Sequence, residues 1–189
     1  MEHERLNANE QRNEIAQQVF EILERDTLDV PTLLDSLKRC VQSEDLFSGN
    51  GAANILLEVH TTRVLGQFEK YLANSAAQNH NFLRLFLALH DLGKPQSLIE
   101  EQPEKEHDYT WGKMTEILDD LKVNENKKHL AQALLAGDPI GEYLQDKITK
   151  EEAVDVMQTM ARMADVSPRE MLNLSLIYFQ SDAGSYTAL

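Results

Sequence analysis

Apolar residues recur along almost the whole of this chain at spacings of three and four, and strand-like alternation is absent. Such a repeat gives a helix one face to bury and a strand none, so it constrains the fold to helices packed on helices. Ile15, Val19, Ile22 and Leu23 share one face of a helix expected over 9–25. A second helix starts near Pro31, with proline at its first turn, and carries Leu33, Leu34, Leu37 and Val41. Ser48-Gly49-Asn50-Gly51 is a turn cluster in which Asn50 is suited to cap the next helix. That helix, a long one over 52–73, presents Leu57, Val64, Phe68 and Tyr71. Another spans 78–92 with Leu83, Phe86, Leu87 and Leu89 inward, and Gly93 and Pro95 mark its stop. Beyond a charged connector over 99–106, helices are expected over 107–121, 124–136, 140–145, 150–164 and 168–182. Thr149 and Glu152 have the spacing of a capping box, and Ser167-Pro168-Arg169-Glu170 repeats that logic. The expected fold is all-α, a bundle of about eight helices. Residues 1–50 form a helical extension packed on or flanking a core of 51–189.

Charge narrows the range of functions. The chain holds 18 Lys and Arg against 32 Asp and Glu, a net charge of −14. Wrapping nucleic acid takes clustered cations that displace phosphate counterions, and the short basic pair Lys127-Lys128 is too small for it. Strong nucleic-acid binding is therefore not expected. Nor is a membrane span, because Arg84 interrupts the best apolar stretch well short of the roughly 18 residues a span requires. The single cysteine, Cys40, makes neither an internal disulfide nor a thiolate metal site. The first ten residues are polar and acidic, unlike a secretory or Arg-rich transit segment. These features read together as a soluble, reduced, cytoplasmic protein, and a homodimer formed through the N-terminal helices is compatible with them.

Four polar residues stand where the pattern asks for apolar ones. His60 follows Leu57 by three and precedes Val64 by four, on the apolar stripe of its helix. His90 continues the line of Leu83, Phe86 and Leu87, and Asp91 follows Leu87 by four. Asp182 comes four after Tyr178 and eight after Leu174, at the inner edge of the last helix. A lone inward histidine is usually a hydrogen-bonded core residue, and a helix-terminal aspartate is usually solvated. Two of each, aimed inward from three helices, are a different case. A buried carboxylate needs a cation or a dense hydrogen-bond shell. Imidazole and carboxylate are also the donors that first-row divalent metals accept when thiolates are lacking. The carbonyls ending the helix before Gly93 add partial negative charge that favours a cation.

The order His60, His90-Asp91, Asp182 resembles the His…His-Asp…Asp signature of the HD-domain superfamily of metal-dependent phosphohydrolases. The string Leu89-His90-Asp91-Leu92-Gly93-Lys94-Pro95 is similar to the version with Gly-Lys-Pro after the pair, found in HD domains of bacterial tRNA nucleotidyltransferases and in some phosphodiesterases. The resemblance covers about 54–182 and implies an HD-like helical bundle. It implies His60, His90, Asp91 and Asp182 as metal ligands and Lys94 as a phosphate-binding side chain. His107 is implied as a substrate or second-metal contact, although it precedes Gly112 by five residues where related domains use four. Many HD nucleotidases carry an acidic residue where Lys94 stands, so that branch is not the one resembled. With few further histidines, one metal is favoured over two.

The expected chemistry is hydrolysis of a phosphomonoester or phosphodiester, with a small nucleotide as the expected substrate and Asp91, Lys94 and Asp182 as the catalytic groups. The cofactor is a divalent ion drawn from Mn, Mg, Ni, Co, Fe or Zn. The competing reading is a non-catalytic HD-like module with a regulatory or protein-binding role. A metal-dependent oxygenase ranks last, since Lys94 suits phosphate better than dioxygen. A second His-Asp pair, His107-Asp108, follows a charged connector and reads as a helix start at the surface. Tyr109 and Trp111 read as packing, His80 as a surface residue, Cys40 as inert, and Met157, Met160 and Met163 as core filler.

Overall fold

The structure, a computed structural model, describes residues 2–51 and 54–187, with the side chains of all of these except 2–9, 11 and 77. It is all-α, as expected. Eleven α-helices occur among the described residues: α1 Glu2–Leu23, α2 Val30–Cys40, α3 Leu57–Gln67, α4 Ala73–Ala76, α5 His80–Leu89, α6 Lys94–Ile99, α7 Glu106–Asp120, α8 Glu125–Leu135, α9 Pro139–Leu144, α10 Lys150–Met163 and α11 Pro168–Ser185. Eight of them have ten or more residues. The described residues contain no strand, only an isolated antiparallel bridge between Asn50 and Leu56. No helix among them is long and apolar enough to cross a membrane.

Contacts divide the chain into two units, Met1–Thr62 with Asp91–Val123, and Arg63–His90 with Asn124–Leu189. Helices α1 and α2 fall in the first of these units together with 91–123. In that unit α1 packs on α2, and α2 and α6 each contact α7. Its core includes Val19, Ile22, Leu33, Leu37, Met114 and Ile117, all essentially closed to solvent. Each such side chain contributes roughly 1.5–3 kcal/mol by leaving water. In the other unit α10 packs against α8, α9 and α11 around Leu134, Met160, Met171 and Ile177.

Helix starts follow local chemistry. Asp29 caps α2 by accepting from the Thr32 N–H and hydroxyl. Asn124 caps α8, and Thr149 with Glu152 closes a full capping box on α10. Asn50 pairs with Leu56 in the isolated bridge, the Gly51 N–H donates to the Ile55 carbonyl, and among the described residues the next α-helix, α3, begins at Leu57. The expected start at residue 52 lies outside the described residues.

Two other departures bear on the site. The long helix over 52–73 is interrupted by a π turn, Phe68–Leu72. The extra residue rotates the chain beyond it, so Tyr71 is 61% exposed instead of inward, while Phe68 stays buried. Gly93 and Pro95 do not stop the preceding helix in the expected manner either. Helix α5 ends at Leu89, and Pro95 sits in the first turn of α6, where its missing N–H costs nothing. Gly93 has φ −84°, so left-handed backbone is not why glycine stands there. A Cβ at Gly93 would collide with the Thr110 nitrogen and with the Glu106 carbonyl oxygen, the latter at 2.5 Å. Glycine lets the first turn of α7 close on this loop.

Candidate metal centre

His60 lies in the first turn of α3 between Leu57 and Val64, all three buried. The apolar stripe therefore carries its imidazole inward. Its Nε2 lies 3.1 Å from Asp91 Oδ2. His90 caps the C-terminal end of α5 with helical backbone, φ −61° and ψ −23°. Its Nδ1 is 2.8 Å from the Leu87 carbonyl, which can only accept, so Nδ1 carries the hydrogen and Nε2 faces the other way. That second nitrogen is 3.7 Å from Asp182 Oδ1. Asp182 is held by α11, which continues one turn past it to Ser185. One turn earlier Tyr178 sets its ring edge-on to Phe86 and to His90, at 5.0 Å and 5.5 Å between centroids.

One ligand atom from each of His60, His90, Asp91 and Asp182 lies within 4.8 Å of every other. Metal–ligand bonds of about 2.0–2.4 Å span about 4.0–4.8 Å when two donors oppose each other. Two imidazole nitrogens and two carboxylate oxygens at this spacing fit a divalent cation. His60, His90 and Asp91 are buried, and Asp182 keeps 33% of its side chain open. The cluster can hold a metal, and the leading donors expected from sequence meet in it.

Lys94 opens α6, three residues past Asp91, and its Nζ lies 2.7 Å from Asp91 Oδ2. His107, implied as a substrate or second-metal contact, is exposed, and so is Asp108. Glu106, one position earlier, is the residue of that turn facing the site, with Oε1 3.6 Å from Lys94 Nζ. Burial pushes its carboxyl above the usual range, Lys94 opposes the shift, and the Asp91 charge adds to it. Sequence reasoning passed over Glu106, yet a signal exists. The stripe Leu118, Met114, Thr110, each buried, reaches Glu106 when carried back one more step of four. His107 is turned about 100° from that line.

Arg84 was also missed as a site-supporting group. It is 1% exposed, and its guanidinium grips Glu69 of the π turn through Nε at 2.8 Å and a terminal nitrogen at 2.6 Å. This bidentate pair ties α5, which ends at the His-Asp pair, to the segment just after α3. Other side chains depart in smaller ways. His80 is only partly exposed and lies against Phe68, and Met163 is 43% exposed while Met157 and Met160 are buried. Cys40 is buried, with its thiol pushed up to about 11, mainly by burial, which makes it a poor nucleophile. Compared with models of protein families, with curated proteins and with solved structures, the chain finds no match.

Proposed function

We propose that the chain is an HD-type metal-dependent phosphohydrolase acting on a small phosphomonoester or phosphodiester, with a nucleotide as the favoured substrate class. The observation that carries this reading is the gathering of His60, His90, Asp91 and Asp182 within 4.8 Å, with the Lys94 ammonium 2.7 Å from Asp91. A divalent ion held by those four residues would supply Lewis acidity to a phosphoryl oxygen and would acidify water. The side chains supply the rest. Lys94 offers a compact positive charge to a second phosphoryl oxygen. Asp182, the most open of the four, suits accepting a hydrogen bond from the attacking water and aligning it with phosphorus. The hydrogen bond from His90 Nδ1 to the Leu87 carbonyl fixes the ring so that Nε2 stays in the cluster. A net charge of −14 favours a small substrate over a long polyanion.

The test is metal analysis of the purified protein, followed by a panel of phosphomonoesters and phosphodiesters with added Mn²⁺, Ni²⁺, Co²⁺ or Mg²⁺. The expected outcome is near-stoichiometric metal and hydrolysis that chelation abolishes. Bound metal with no hydrolysis anywhere in the panel would overturn the enzymatic reading and leave a regulatory helical module.

A further inference from the structure

Lys94 stands between two carboxylates. Its Nζ is 2.7 Å from Asp91 Oδ2 and 3.6 Å from Glu106 Oε1. The nearer oxygen also faces an imidazole, since His60 Nε2 lies 3.1 Å from the same Asp91 Oδ2. One carboxylate oxygen thus has an imidazole from α3 and an ammonium from α6 close to it. A divalent ion shared by His60 and Asp91 draws on that corner too. Two cations a few ångströms apart repel strongly where little water screens them, and Asp91 is only 4% exposed. Ion and ammonium then compete for Asp91, unless the ammonium has somewhere else to go.

Glu106 is that place. The Gly93 turn brings it there, because the first turn of α7 closes on the loop where a Cβ would collide, and Thr110 Oγ1 accepts from the Gly93 N–H at 2.9 Å. The Glu106 carboxylate is about three-quarters shielded from water, so the charge it carries is costly there without a cation beside it. Lys94 reaches it by a change of its flexible stem alone, with no backbone movement.

We propose that Glu106 is a positioning residue: it takes the Lys94 ammonium from Asp91 when a divalent ion occupies the His60–Asp91 corner, so that ion and ammonium share the site instead of competing for it. This rests on the metal-binding reading of the cluster and not on phosphate chemistry. Without Glu106, Lys94 stays on Asp91 and metal must displace it. Without Lys94, Glu106 has nothing to relieve.

Four proteins test this: wild type, E106Q, K94M and K94M/E106Q, with Mn²⁺ affinity measured by calorimetry at one pH and ionic strength. E106Q is expected to bind roughly tenfold more weakly than wild type, and K94M no more weakly than wild type. In the K94M background, E106Q should change affinity by less than about twofold. A merely electrostatic role predicts the same loss in both backgrounds, because a distant negative charge attracts the ion whether or not Lys94 is present. Equal losses, or no loss in E106Q, would overturn the proposal. If wild type bound none of Mn²⁺, Mg²⁺, Ni²⁺, Co²⁺, Fe²⁺ or Zn²⁺, the metal reading itself would fall and this inference with it, an outcome distinct from the other two.

Discussion

The chain carries the dipeptide His-Asp twice, at 90–91 and at 107–108, and the two pairs have opposite environments. The first closes an apolar helix, and both of its residues are buried. The second lies in the first turn of a helix that comes after a charged connector, and both of its residues are exposed. Identical side chains thus become candidate ligands in one place and solvated surface in the other. What differs is the burial around them. At 90–91 water is excluded, so imidazole and carboxylate must find partners within the protein, and they converge with His60 and Asp182. At 107–108 water is the partner. The residue of that turn that does reach the site is Glu106, whose identity no His-Asp motif announces.

The contrast can be broken most directly by alanine at each pair. His90→Ala or Asp91→Ala is expected to abolish stoichiometric metal binding, with affinity falling at least about 100-fold. His107→Ala and Asp108→Ala should leave it within about twofold, as measured by calorimetry or by metal content after gel filtration. Equal effects at the two pairs would erase the distinction. Next in size is the support beneath the first pair. Arg84→Ala leaves the Glu69 carboxylate without its buried guanidinium, and urea unfolding should show a loss of about 3 kcal/mol. The value sits at the lower end for a broken buried pair because Glu69 keeps 23% of its side chain exposed.

Gly93→Ala sharpens the comparison from the loop between the pairs. The added Cβ presses on the Thr110 nitrogen and the Glu106 carbonyl, both backbone atoms, so relief requires α7 to shift. Thermal melts should show about 1–3 kcal/mol of destabilisation. Metal affinity should fall alongside, because Glu106 moves with α7.

The smallest effect concerns pH. Burial raises the Glu106 carboxyl above its usual value in the folded chain, which therefore holds that proton more tightly than the unfolded chain does. Charged Glu106 then costs stability, and stability falls as pH rises from the unfolded value of about 4.5 through the folded one. In chelator, Glu106→Gln should melt slightly above wild type at neutral pH, with the gap closing as pH falls through the folded value and gone below about 4.5. A gap that widens in acid would contradict the sign.

The bundle was legible in the sequence because amphipathic spacing and caps act locally. Thr149 and Glu152, Ser167 and Glu170, and the inward Leu83-Phe86-Leu87 line all appear in the structure as their spacing implies. His60, His90 and Asp91 were legible for the same reason, as polar residues sharing a stripe with buried apolar ones. The π turn at Phe68–Leu72 was not, because the residues inside it keep a helical composition and only the register slips. Gly93 was legible as a break but not in its cause, since a close approach depends on a helix that begins 13 residues later.

By itself, then, the sequence determined that the chain is helical, the caps at Thr149 and Ser167 and most of the buried faces, because each of these depends on side chains three or four positions apart. It also put two histidines and two aspartates at inward positions of their helices, of which His60, His90 and Asp91 are buried. Only the tertiary structure decided that their ligand atoms lie within 4.8 Å, that Glu106 and not His107 meets Lys94, and that Arg84 pairs with Glu69. The reason is physical: helical periodicity sets the direction of a side chain, while the distance between side chains on different helices is set by how the apolar faces pack.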